Sequence, residues 1–165
     1  MAQSDTVERI LDAAEALFAE RGFAETSLRT ITSTASVNLA AVNYHFGSKK
    51  DLIQAVFARF LTPFCEELDS SLNELERNAK EPGTGALLEV LFHTALLRGV
   101  DDSGEKAQRF MRLLGLAYTQ SQGHLRRFIV ANYGQHYQRF TQLLQQSAPS
   151  LDPISFYWRL YFMLG

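Results

Sequence analysis

A single cysteine, Cys65, stands among the 165 residues. No disulfide framework and no cysteine-based metal cluster can therefore form within one chain. No apolar run approaches the ~20 residues that a membrane-spanning helix needs. The polar, acidic start MAQSDTVERI lacks the apolar stretch of a secretory signal. The G-x-S-x-G, P-loop, H-E-x-x-H and G-x-G-x-x-G patterns are all missing. The four histidines (His45, His93, His124 and His136) show no ligand spacing. No metal, no cofactor, no catalysis and no membrane association is expected, and the residues point to a soluble cytoplasmic protein. Charge of one sign is also scarce. The net charge is −2 and the pI about 6.1, so the overall basicity usual in nucleic-acid binders is missing. At 46% hydrophobic and 21% charged, the chain is too apolar for disorder and can bury a core.

The distribution of charge says more than its sum. Residues 1–25 carry six acids and two bases, whereas 26–50 carry Arg29, Lys49 and Lys50 and no acid. That second stretch, TSLRTITSTASVNLAAVNYHFGSKK, holds two short helical patterns around a tight turn. It suits a positioning helix, a turn and a recognition helix flanked by phosphate clamps.

Helical periodicity dominates elsewhere. Val7, Ile10, Leu11, Ala14, Leu17 and Phe18 repeat at i, i+3, i+4 spacing, with Asp5 and Glu8 as a capping pair. Gly22 is placed to end that helix, and Phe23 to fold back on it. Thr26 or Ser27 caps a second helix with Leu28 and Ile31 inward, and 35–37 forms the turn. Asn38 caps a third helix over 39–46, with Val42 and Phe46 inward, and Gly47 stops it. Ser48 with Asp51 caps a long fourth helix that continues past Leu72, and Pro63 predicts a kink within it. AKEPGTG at 79–85 is the clearest break. Further helices are expected at 85–98, 105–120, 123–147 and from 153 onward. The apolar ISFYWRLYFMLG ends abruptly at Gly165, which reads as a chain cut short of a further helix. No stretch has strand periodicity with turn signals, so the fold class is all-α.

The pattern AERGFAETSLRTI…AVNYHFGSKKDLI resembles the N-terminal domain of TetR-family transcriptional regulators, over roughly 5–60. The resemblance implies a helix-turn-helix DNA-binding domain at 1–50, braced by the fourth helix. A helical bundle at 51–165 would then bind a ligand and dimerise. It implies a homodimeric bacterial repressor on a palindromic operator of double-stranded DNA. Asn43 would read an adenine edge while Leu39 and Ala40 pack on thymine methyls. Tyr44, His45 and Lys49 match the family's phosphate contacts, with Thr26, Ser27 and Arg29 on the opposite backbone and Asn38 at the recognition-helix cap. Three positions depart from the family pattern. Ser36 stands where Gly is usual, Leu39 where Lys is common, and Asn43 where Tyr is common. These departures bear on the target sequence.

The segment FMRLLGLAYTQSQGHLRR (110–127), with VNLAAVNYHFGSKK, is similar to the PsrA-type regulators that respond to long-chain fatty acids. That likeness implies a hydrophobic effector, a fatty acid or acyl-CoA, met by Arg112, Gln120, His124 and Phe92. An ordinary aromatic core explains the same residues as well. So do two other classes, a helical lipid-binding module and an acyl-substrate enzyme or adaptor. The lack of acids over 26–50 argues against the first, because a domain freed from DNA has no reason to exclude carboxylates there, and the second would require turnover of a fatty acyl thioester that is lost on changing a single His or Cys65.

Overall fold

The computed structural model describes residues 2–79, 81–99, 105–120 and 122–150, together with Asp152 and Ser155. Among them are seven helices and no strand: α1 Ala2–Arg21, α2 Leu28–Thr34, α3 Leu39–Phe46, α4 Lys49–Asn78, α5 Thr84–Gly99, α6 Glu105–Thr119 and α7 Gly123–Gln146. The all-α expectation holds, and α4 ends at Asn78 and α5 starts at Thr84, as the break at 79–85 predicts. The helix expected from 153 onward, and the interface assigned to it, lie outside the described residues.

Side-chain caps set the boundaries. The Ser27 hydroxyl accepts from the Thr30 amide at 3.1 Å, and Asn38 Oδ1 accepts from the Ala41 amide at 2.8 Å. Ser48 Oγ accepts from the Asp51 amide at 3.2 Å. Each satisfies an amide that a helix start otherwise leaves bare. The expected Asp5–Glu8 cap is corrected. α1 begins earlier, at Ala2, and Asp5 lies in its first turn, where a carboxylate favours the positive end of the helix. Gly22 adopts φ +86° at the C-terminus of α1, and the Phe23 ring returns to within 5.4 Å of Phe18.

α4 runs unbroken through Pro63. Proline lacks an amide proton, so the Arg59 carbonyl loses its helical partner there. At 30 residues α4 is about 45 Å long. It threads both apolar cores. The first combines Ile10, Phe18 and Phe23 of the α1 region, Ile31 of α2, Val42 of α3 and Phe57 of α4 with Phe110, Leu113 and Leu125 of α6 and α7. The second joins Leu68 and Leu72 of α4 to Leu87, Phe140 and Leu144. The N-terminal three-helix unit is thus packed into the rest of the chain through the first half of α4. Arg59 reinforces the seam, with Asp12 at 2.6 Å and Glu8 at 3.0 Å. Burial pulls its pKa down, but the bond to Asp12 and the three neighbouring carboxylates outweigh that and raise it.

Ser36 has φ +52°. This is the left-handed region that the sequence departure from Gly calls into question, and a side chain there is strained. Ser36→Gly should stabilise the fold by about 0.5–1 kcal/mol, the strain relief less the added chain entropy of glycine. Chemical denaturation read by circular dichroism checks this, and a loss of stability would mean that the serine is held there by bonds worth more than its strain.

Candidate nucleic-acid interface

The α2–turn–α3 unit is held from beneath by α1. The Arg9 guanidinium donates to the Ala35 carbonyl, and to the Ser36 carbonyl at 2.9 Å. Val37 donates to the Thr32 carbonyl at 3.0 Å, closing the turn. Val42 and Ile31 are fully buried under the two helices. Ala41 and Phe46 pack against the same core, and the other residues of α3 form its outer face. Leu39, Ala40 and Asn43 are exposed along it, and Tyr44 is 76% exposed. The Tyr44 and His45 rings meet edge-on at 5.0 Å. A helix presenting an amide between small apolar side chains has the chemistry that a major groove edge requires.

Of the ten residues expected at this surface, nine stand on it or at its caps and one does not. Thr26 is fully buried. Its hydroxyl donates to the Gly22 carbonyl at 2.8 Å and the Leu17 carbonyl at 3.2 Å, so it ties the loop to α1 and cannot reach a phosphate. Ser27 and Asn38 are exposed, but their side chains are engaged as caps. Arg29 is exposed on α2. His45 and Lys49 are half-buried, and Lys49 Nζ donates to the Ala24 carbonyl at 3.4 Å. Lys50 is exposed in the first turn of α4 and belongs with this set. Its signal was its place in the acid-free stretch, not a motif position.

The four residues expected to meet an effector do not converge on one cavity. Phe92 is 53% exposed on α5, and Arg112 is exposed on α6. Gln120 lies at the junction with α1. Its Oε1 accepts from the Phe23 amide at 3.2 Å, and its Nε2 lies 2.7 Å from where a Cβ on Gly22 would stand. His124 binds α4, with Nδ1 3.3 Å from Gln54 Nε2 and Nε2 2.8 Å from Gln122 Oε1. That pairing suits a neutral imidazole with its proton on Nε2. Burial lowers the His124 pKa, and the nearby charges of Lys50 and Arg127 lower it further against an opposing pull from Asp51.

A strongly apolar cavity among the described residues lies elsewhere, between α4, α5 and α7. It encloses about 310 Å³ and is walled by Leu61, Phe64, Leu91, Tyr137 and Phe140. Cys65 faces it, with a thiol pKa pushed up to about 11 by burial and then by Asp69. The thiol stays protonated near neutrality and acts as the small hydrophobe expected of it. At the rim, Asp69 binds His136 at 2.7 Å and Arg139 at 3.2 Å.

Comparison with known proteins agrees with this architecture. Residues 10–56 match the family profile of bacterial regulatory proteins of the tetR family. Residues 90–165 match the Tetracyclin repressor-like C-terminal domain. The chain belongs to the TetR family of bacterial regulators. Among curated relatives, the HTH-type transcriptional regulator AcrR of Shigella flexneri is 36% identical over 91 residues, covering 54% of this chain and 40% of AcrR. The HTH-type transcriptional repressor KstR2 of Mycobacterium tuberculosis is 33% identical over 72 residues, covering 41% of this chain and 36% of KstR2. The alignments therefore span two fifths or less of these relatives. Two solved structures share the fold at 23% identity. A mutant of HlyIIR covers 98% of this chain and 82% of its own, with a TM-score of 0.69. A SmeT–triclosan complex covers 88% and 66%, with a TM-score of 0.61.

The His124 junction makes a prediction with a definite sign. Its folded pKa lies below the usual 6.5, so the unfolded chain takes up the proton first. The stability it contributes is complete above about pH 6.5 and is lost as pH falls through the lowered value. Thermal unfolding of the wild type should therefore weaken more than that of His124→Gln between about pH 7.5 and pH 5.5. Parallel curves for the two proteins would remove His124 from the pH response.

Proposed function

We propose that this TetR-family regulator is a homodimeric transcriptional repressor that reads a palindromic operator through α3 and is released by a small hydrophobic effector. The observation that carries the reading is the exposed row Leu39, Ala40, Asn43 and Tyr44 on a helix whose other face is locked into the core. The stretch 26–50 that carries this row holds three cations and no acid. Asn43 pairs with adenine, Leu39 and Ala40 pack on thymine methyls, and Tyr44, His45, Lys49 and Arg29 hold the backbone. Two copies of α3 on a two-fold axis reach successive major grooves, ~34 Å apart or a multiple of it. No described helix is long and apolar enough to cross a membrane, and the cytoplasm is the compartment where such a protein meets DNA.

The α4–α5–α7 cavity is the effector site of this proposal. Its walls suit the acyl chain of a fatty acid or acyl-CoA. Its charges do not suit the anionic head, because Asp69 already engages both His136 and Arg139 at the rim. An uncharged apolar ligand is therefore favoured over a carboxylate of the same length. Thermal shift with a long-chain alcohol and the matching fatty acid checks this. The alcohol should raise Tm more, and a larger shift with the acid would restore the fatty-acid reading.

Operator selection from random duplexes tests the reader. A palindrome should be recovered. Asn43→Ala should then cost about 1–3 kcal/mol on it and little on random DNA. Lys49→Ala should weaken both and reduce the salt slope by about one unit. Loss of equal size on both sequences for Asn43→Ala would overturn base reading by that residue.

A further inference from the structure

Residues 106–151 hold six Lys or Arg and no Asp or Glu. The chain thus has two acid-free basic stretches, this one and 26–50, within an acidic total. The fold brings them together. Gln54 on α4 bonds His124 on α7 at 3.3 Å. Lys50 lies four residues before Gln54, on the same face of α4. Arg127 bends back toward the start of α7, with Nη1 3.6 Å from where a Cβ on Gly123 would stand. Lys50 and Arg127 both lie close enough to His124 to disfavour its charged form. Lys50, Arg126 and Arg127 are all exposed. Nearby Asp51 is engaged by the Ser48 hydroxyl at the cap of α4.

The charge along α4 is graded to match. Lys49 and Lys50 open the helix, whereas Glu66, Glu67, Asp69, Glu74 and Glu76 fill its second half. Arg139, in the last third of α7, pairs with Asp69 and Glu76 of that acidic half. Arg127, near the start of α7, instead lies by His124, which Gln54 ties to the basic end of α4, and Arg126 stands exposed beside it in sequence. A cluster of like charges kept exposed costs repulsion unless an anion spreads along it. Because Lys50 belongs to both patches, this cluster is continuous with the α3 surface.

We propose that Lys50, Arg126 and Arg127 form a second row of phosphate contacts that engages the DNA backbone outside the segment read by α3. The proposal rests on the DNA-binding reading above. It extends the footprint into flanking DNA, with affinity there set by charge and not by base sequence.

Two duplexes test it, one trimmed to the selected palindrome and one extended by about ten base pairs, a helical turn, on each side. The wild type should show a steeper dependence of log K on log salt with the extended duplex. The Arg126→Ala/Arg127→Ala double variant should lose about two units of that slope per protomer on the extended duplex only. Replacing both with Lys should restore it. Both side chains are exposed, so an unchanged Tm confirms that the variant is folded. An unchanged slope on the extended duplex, with trimmed-duplex binding intact, overturns the second row. An equal loss on both duplexes overturns the flanking position. If the wild type binds neither duplex, the DNA-binding reading fails, and the second row fails with it.

Discussion

The packing that joins the α3 surface to the rest of the chain centres on Phe57, buried in the middle of the first half of α4. Phe57 is fully enclosed, with Phe23 at 6.3 Å on one side and Phe110 at 5.8 Å on the other. One ring therefore belongs at once to the core under the helix-turn-helix and to the packing of α6. An interior packed to the density of an organic crystal leaves no room for the two parts to shift independently. The orientation of α3 relative to the C-terminal helices is a property of this packing and of the Arg59 bridge to α1, not of a flexible linker.

The same helix resolves the apparent conflict between a net charge of −2 and a surface suited to DNA. Acids accumulate along α1 and on the second half of α4, where Arg59, His136 and Arg139 partly compensate them. The start of α4 and the start of α7 carry the opposite sign. With a Debye length of about 8 Å at physiological salt, a phosphate approaching α3 responds to the near cations and hardly to the distant carboxylates. Net charge therefore says little about such a molecule, and the order of charges along α4 says much.

Local signals in the sequence were readable because their causes are local. The caps Ser27, Asn38 and Ser48, the glycine at 22 and the inward Ile31 and Val42 all act within a few residues of themselves. Ser36 stood out for the same reason, since a positive φ is a property of one residue. Contacts between distant parts of the chain were not legible. Arg9 clamps a turn 26 residues away, and Gln120 binds an amide 97 residues away. Nothing in the spacing marks either. Thr26 was misread because a threonine before a helix has the same signature whether it caps, clamps or turns inward. Only the carbonyls of Leu17 and Gly22, brought near by the bend after α1, decide the matter. Gln120 and His124 were singled out for a ligand by residue type alone, and their polar groups bond the Phe23 amide and Gln54 of α4.

The route from the cavity to α3 is a line of rings. Phe64 on the cavity wall stacks on Phe60 at 6.0 Å, Phe60 on Phe110 at 3.7 Å, and Phe110 meets Phe57. Phe57 meets Phe23, which meets Phe18 beneath the helix-turn-helix. Contiguity of this kind transmits nothing by itself. A ligand shifts an equilibrium only by the difference in its affinity for two arrangements. Two features of this chain bear on how α4 and the C-terminal helices are restrained. Pro63 leaves the Arg59 carbonyl of α4 without its helical partner, so the helix lacks one restraint where the ring line passes from cavity to core. The polar contacts of Gln120 and His124 fix how the α6–α7 corner sits on α1 and α4, and hydrogen bonds exchange partners at less cost than a packed ring moves. A ligand that spreads Phe64 from Phe60 would therefore be opposed mainly by that corner.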